Sequence, residues 1–346
     1  MRGGPGLTAS GRALLAVLLL GACAMPGRED TAVMLSFADL AGWESADHRA
    51  ALLRHRGHCA QPEAPCAEAP PVSAGDGRAR AVIEATYRPV ILPGGENALV
   101  TGYYEPVLDA SPVPTARYAV PLHAPPPGLA PGEAGPDRGA IAGGALDGRG
   151  LELFWLADPV DRFFLQIQGS GRLRLPDGRF VRLGYAGRNG HPYRSIGRLL
   201  VERGEMAPGT VTAERLRRWL RADPERGRAL MNENPSYIFF REVEGLSPES
   251  GPVGSAGVPL APMLSVAADP EHYPPGSLLW LEADTPDGPI RQLAVAEDTG
   301  SAIRGTGRVD LFHGTGDKAG AAAGALAARG RLVLLAPRRP EPDPAT

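Results

Sequence analysis

The 45 glycines and 36 prolines of this 346-residue chain, nearly a quarter of its length and without a period, constrain its fold more than any other feature. Breakers at that density favour short strands and many turns over long helices. Hydrophobic residues make up 43% and aromatics only 6%, so a core forms from aliphatic side chains. The net charge of −3 comes from interleaved acids and bases, and no basic stripe points to a nucleic-acid partner. Short alternating runs predict strands at 98–107, 151–155, 163–167, 173–175, 181–183, 277–282, 290–296 and 331–335. Looser helical spacing predicts helices over 32–57, 76–90, 195–202 and 212–222, the last closed by Asp223-Pro224. The stretch 124–150, rich in proline and glycine and poor in core residues, reads as a surface loop or insertion. The tail from Pro337 to Thr346 reads as disordered. The expected fold class is mostly β with peripheral helices, in two lobes.

Arg2 and Arg12 flank the start of an apolar run, 13–20. A bilayer-spanning helix needs about 20 residues, so this run has the size of a signal-peptide core instead. It ends in Leu20-Gly21-Ala22-Cys23, which is similar to the lipobox of bacterial lipoproteins, where the cysteine is acylated. The expectation is a signal peptide over 1–22 and lipidation at Cys23. Ala24, rather than an aspartate, follows the cysteine and directs the anchor to the periplasmic face of the outer membrane. Ordinary secretory cleavage beside Cys23 is the alternative. Cys59 and Cys66 suit a disulfide in an oxidising compartment. His55 and His58 beside them make a metal site the competing reading, although the spacing fits no zinc pattern.

Asp298 and Asp310 stand at the ends of a glycine-broken loop between apolar strands, with Asp317 close by. Loops held between strands can present carboxylates to a groove, but aspartates beside glycines also simply cap turns. Asp298-Thr299-Gly300-Ser301 spells the tetrapeptide of aspartic proteases. That chemistry needs two such loops sharing a proton. This chain has one, with Glu297 where the motif has an apolar residue.

Further segments bear on the same question. They are Thr101-Gly102-Tyr103-Tyr104-Glu105-Pro106, Gln166-Ile167-Gln168-Gly169-Ser170-Gly171, Gly184 to Tyr193, Asn234 to Phe240 and Gly254 to Leu260. Taken in order with the aspartate region, they resemble the family of lytic transglycosylase A, peptidoglycan-cleaving enzymes with a C-terminal 3D domain. The resemblance covers roughly 98–336 and leaves the 124–150 stretch and the cysteine pair outside its motifs. It implies a double-psi β-barrel domain, an inserted smaller β-barrel domain, and a groove between them for a glycan strand. The implied division is a linker at 23–31, a first barrel segment at 32–107, the inserted domain at 108–244, a second barrel segment at 245–337 and a tail at 338–346.

The resemblance also implies non-hydrolytic cleavage of peptidoglycan to 1,6-anhydro ends, with Asp310 as the catalytic acid and Asp298 shaping the site. Thr101, Tyr103, Tyr104, Glu105, Gln168, Ser170, Tyr185, Asn189 and Tyr193 are the expected groove residues. A tyrosine can stack on a sugar face, and any one of them can equally pack between strands. No cofactor and no metal is expected. The implied partners are peptidoglycan glycan strands and the membrane, through the lipid; the sequence leaves cell-wall synthases and divisome components open. A glycan-binding protein without turnover and a true hydrolase are the alternatives.

Overall fold

The computed structural model describes residues 32–58, 75–129 and 133–338. The expected signal peptide, Cys23, Cys59, Cys66 and the end of the tail lie outside the described residues.

The amino-terminal region contains β1 (Val33–Met34), α1 (His48–His58), α2 (Asp76–Thr86), β2 (Tyr87–Ile91) and β3 (Ala98–Glu105). Next come β4 (Val107–Ser111), β5 (Val120–His123), α3 (Arg138–Ala142), β6 (Glu152–Leu156), α4 (Pro159–Gln168), β7 (Gly171–Arg174) and β8 (Phe180–Arg188). Three helices follow, α5 (Ile196–Glu202), α6 (Ala213–Ala222) and α7 (Pro224–Asn232), and then β9 (Ile238–Glu242). The carboxyl-terminal region holds β10 (Ser265–Ala267), β11 (Leu278–Thr285), β12 (Gly288–Asp298), β13 (Arg308–Thr315), α8 (Asp317–Ala325) and β14 (Ala327–Pro337).

Six strands close into a barrel in the order β3-β13-β10-β12-β11-β14, because the long β14 pairs with both β11 and β3. β1 and β2 extend from the other end of β14. Side chains alternate across each strand. Val100, Val266, Ala294, Ala296, Val309 and Leu311 therefore fill the interior, where small residues suit a narrow barrel. Outside, α1 and α2 bring Leu52 and Ile83 against Trp280, Val295 and Val333.

A second sheet, β5-β6-β4-β7-β8-β9, comes entirely from residues 107–242. The helices α4 to α7 pack together beside it through Phe163, Leu199, Leu216 and Leu230. The protein is thus mostly β, a closed barrel and a second sheet with peripheral helices.

Four expectations about local structure need correction. Residues 163–167 belong to α4, not to a strand. The Asp158 carboxylate caps the Val160 N–H, Pro159 takes the first turn, and Gly169 ends the helix at φ 77°. Paired phenylalanines mimic a strand, but Val160, Phe163 and Phe164 are spaced for one helical face. The 32–57 segment is α-helical only from His48, after 3-10 turns at 37–39 and 43–45 separated by Gly42 at φ 83°. The second helix stops at Thr86, and Pro89 lies within β2. The 124–150 stretch is more than a surface loop. Its Ile141 and Leu146 are buried against Tyr237 and Phe239, a small core that the many glycines dilute in the composition.

Candidate active site

The barrel's strand order sets two aspartates on one outer face. β13 runs parallel to β3, with Asp310 opposite Thr101 and Phe312 opposite Tyr103. On its other side Asp310 faces Ala267 of β10, and Ala267 faces Asp298 of β12. The carboxylates therefore flank one small residue, two strand spacings or about 10 Å apart at the backbone. A β-bulge makes this possible. The β10–β12 register shifts between Val266 and Ala267, leaving Glu297 as the extra residue. Without that shift Asp298 would share the inward face of Ala294 and Ala296. Tyr103, Leu260, Ala267, Ile303 and Phe312 form an apolar floor around the pair.

The two carboxylates are held differently. Asp298 accepts from the backbone N–H groups of Ser255 and Thr299, each at 2.9 Å, and from the Tyr103 hydroxyl at 3.0 Å. Asp310 accepts from the Thr101 hydroxyl at 2.5 Å. Thr101 in turn accepts from Arg308 Nη1 at 2.7 Å, so this cation reaches Asp310 through a hydroxyl relay. Burial pushes Asp310 above the usual carboxylate range; the Thr101 bond and the Arg308 charge oppose this, and the Asp298 charge adds to it. Burial also raises Asp298, against the pull of Ser255, Thr299 and Tyr103. Tyr103 is driven well up by burial and then by the Asp298 charge, so it stays a neutral donor. A carboxyl that holds its proton unusually long, beside one already supplied with donors, can serve as a general acid and then as a base.

Glu297, missed as a site residue, anchors the bulge. Its carboxylate accepts from Arg54 Nε at 2.8 Å, His58 Nε2 at 2.8 Å and Ser265 Oγ at 2.5 Å. Burial pushes it up, but the bonds from His58, Arg54 and Ser265 outweigh that and leave it below its usual range. Its carbonyl accepts from the Ala256 N–H at 3.1 Å, fixing the loop that offers Ser255 to Asp298. The one sequence signal was an acid where an apolar residue is ordinary.

The other expected groove residues divide. Thr101 and Tyr103 join the aspartates. Tyr104 packs its ring on Gly320 of α8, where a Cβ would come within 2.7 Å, and its N–H donates to Gln168 Oε1 at 3.0 Å. Gln168 is thereby engaged by backbone, and Ser170 is half-buried in the turn that follows.

Glu105 and Asn189 are fully buried, which corrects their expected place along a groove. Glu105 meets Arg172 at 2.7 Å and Arg182 at 3.1 Å, tying the end of β3 to β7 and β8. Asn189 donates to the carbonyls of Pro136 and Pro235 and accepts from the Tyr237 N–H. Polar residues that build a fold look the same in sequence as polar residues that bind a ligand.

Tyr185 is 52% exposed and lines a cleft of about 520 Å³ with Leu153, Phe240 and Arg241, sharing no residue with the aspartate pair. Tyr193 is half-buried. His58 is taken by Glu297, and His55 by the Gly276 carbonyl and the Tyr87 hydroxyl.

Comparison with known proteins bears on this geometry. The MltA specific insert domain family matches residues 99–241, running across the 124–150 stretch, and the 3D domain family matches 264–336. The membrane-bound lytic murein transglycosylase A of Vibrio cholerae is 36% identical over 258 residues, covering 70% of this chain and 67% of that protein. The chain spans about two thirds of the length of the curated relatives it matches. A membrane-bound lytic murein transglycosylase from Agrobacterium tumefaciens superposes with a TM-score of 0.80 at 32% identity, over 89% of this chain and 98% of that one. The structure of E. coli MltA with bound chitohexaose superposes at 0.65 with 30% identity, over 77% and 79%.

Proposed function

The chain belongs to the membrane-bound lytic murein transglycosylase A family, and from that premise we propose that it cleaves peptidoglycan glycan strands without water. The bond broken joins N-acetylmuramic acid to N-acetylglucosamine, and the product ends in a 1,6-anhydro sugar. The observation that carries this reading is the unequal supply of donors to two neighbouring carboxylates. Among the described residues Ser255, Thr299 and Tyr103 donate to Asp298, and Thr101 alone donates to Asp310.

Asp310 is the acid that keeps its proton. It protonates the glycosidic oxygen as the bond to C1 breaks. The C6 hydroxyl of the same muramoyl residue attacks C1, and the Asp310 carboxylate accepts the hydroxyl proton, which restores the starting state. Intramolecular attack supplies the proximity that a bound water would otherwise need. A second catalytic carboxylate, as in ordinary glycosidases, is unnecessary. Asp298 shapes the site and adds the negative charge that favours a protonated Asp310. Thr101 holds Asp310 in place.

The same reading includes a barrel domain interrupted by an inserted domain, as well as export and a lipid on Cys23. Recovery of the intact protein in the soluble periplasmic fraction would remove the anchor from it.

Mass spectrometry of products released from purified sacculi tests the reaction. Anhydro-ended muropeptides are expected, falling to less than about one-thousandth with Asp310→Asn, since a general acid contributes up to four orders of magnitude. Reducing ends carrying an added water would make the protein a hydrolase, and no release would leave only a binding protein.

A further inference from the structure

Among the described residues, the helices beside the second sheet carry three arginines that meet at one cavity without a carboxylate partner. Tyr237 is fully buried, and two guanidinium groups lie over its ring, Arg138 at 5.4 Å and Arg162 at 5.7 Å from the centroid. Both line a cavity of about 300 Å³ beside Pro159, at the start of α4, and Arg228 of α7 lines it too. The rest of the wall is apolar apart from Asn232. Among the described residues none of the three arginines forms a salt bridge. The acids of the same helix are engaged elsewhere, Asp158 with Arg221 and Asp161 with Arg217 and Arg221.

Arg138 is buried and gives its protons to neutral oxygens: Asn234 O at 3.1 Å, Gln166 Oε1 at 2.6 Å and Ser236 O at 2.5 Å. Those bonds brace the turn before β9, which accounts for one arginine but not for three. Arg162 reaches the Pro121 carbonyl at 3.3 Å and the Tyr237 hydroxyl, both neutral, and its buried Nε has no partner. Arg228 is exposed.

Like charges held this close weaken each other. Burial, and after it the Arg162 charge, pulls Arg138 down to about 9. The same two causes, against the weaker pull of the Glu152 and Asp147 charges, take His123, bonded to the Tyr237 hydroxyl at 2.8 Å, down to about 4, so it adds no charge at neutral pH. Buried charges are ordinarily paired, and a pair of guanidinium groups beside a cavity lacks only its counter-ion.

We propose that the cavity bounded by Arg138, Arg162 and Arg228 binds a small oxyanion, the carboxylate or phosphate group of a ligand. Guanidinium forks match the paired oxygens of either group. The volume admits that group and a short attachment. The site is independent of the reading given to Asp310, and its test involves no turnover.

Inorganic phosphate and acetate are titrated separately into the intact protein by calorimetry, with ionic strength held constant by sodium chloride. Saturable binding of one of them is expected, weakened tenfold or more by Arg162→Gln and by Arg228→Gln. Tighter phosphate identifies a phosphate ligand, and tighter acetate a carboxylate. Neither anion binding beyond chloride, or affinity unchanged in Arg228→Gln, overturns the site. Arg228 is exposed, so that variant decides the matter even if Arg162→Gln does not fold.

Discussion

Glu297 and Asp310 are carboxylates on one barrel, on the strands that flank β10, and the protein treats them in opposite ways. Glu297 is met by a guanidinium, an imidazole and a hydroxyl. Asp310 receives one hydroxyl, with Arg308 held a bond further off. The first arrangement favours the charged form and fixes backbone; the second leaves the charged form costly and the proton available. Glu105, between two arginines, likewise ties strands together. On the proposed reading, the difference separates acids that build the fold from the acid that reacts.

The largest effect that could break this contrast is on stability. Glu297→Gln leaves Arg54 and His58 without their anion, and a loss of about 3 kcal/mol at neutral pH is expected from breaking a buried pair. Because the Glu297 pKa is lowered on folding, its contribution is present above the unfolded value of about 4.3 and is lost as pH falls through the folded value. Urea unfolding of both proteins across acidic pH measures this, and equal midpoints at pH 7 would dissolve the contrast.

Asp310→Asn should shift stability the other way, in favour of the variant at pH 7. Here the pKa is raised on folding. The stability linked to Asp310 is complete below about 3.9 and is lost as pH rises through the folded value, so the variant's advantage fades in acid. A destabilised variant at pH 7 would mean that Asp310 belongs with Glu297.

The smallest effect sharpens the relay. Thr101→Val removes the hydroxyl donor that opposes the rise at Asp310, so the alkaline limb of the pH–rate profile for muropeptide release should move to higher pH. An unmoved limb would show that the hydroxyl does not hold the reacting acid.

Much of this contrast was hidden from the sequence. Asp298 and Asp310 stand out there because glycines surround them and strands flank them, and the structure brings both beside Thr101 and Tyr103. The bulge at Glu297 could not be read, since alternation along one strand does not reveal its partner's register. Asp298 would even have counted as inward-facing. Glu105 and Asn189 sit in motif segments for their structural bonds, and nothing local marks them as buried. Helix α4 was missed because its cap, Asp158-Pro159, precedes an aromatic pair that also suits a strand. The charge at the cavity draws on Arg138, Arg162 and Arg228, three separate helices that only tertiary packing collects.

Thr101 and Asp310 are 209 positions apart, yet their strands lie side by side. Closing so long a loop is slow compared with forming the second sheet, whose paired strands lie closer together in the chain. Until β13 and β14 enclose β3, the barrel's carboxylates are ordinary solvated acids, fully ionised and without catalytic use. Reactivity is therefore a late product of folding. On the role proposed for Asp310, a chain cut short before residue 308 lacks its acid and is inert rather than weakened.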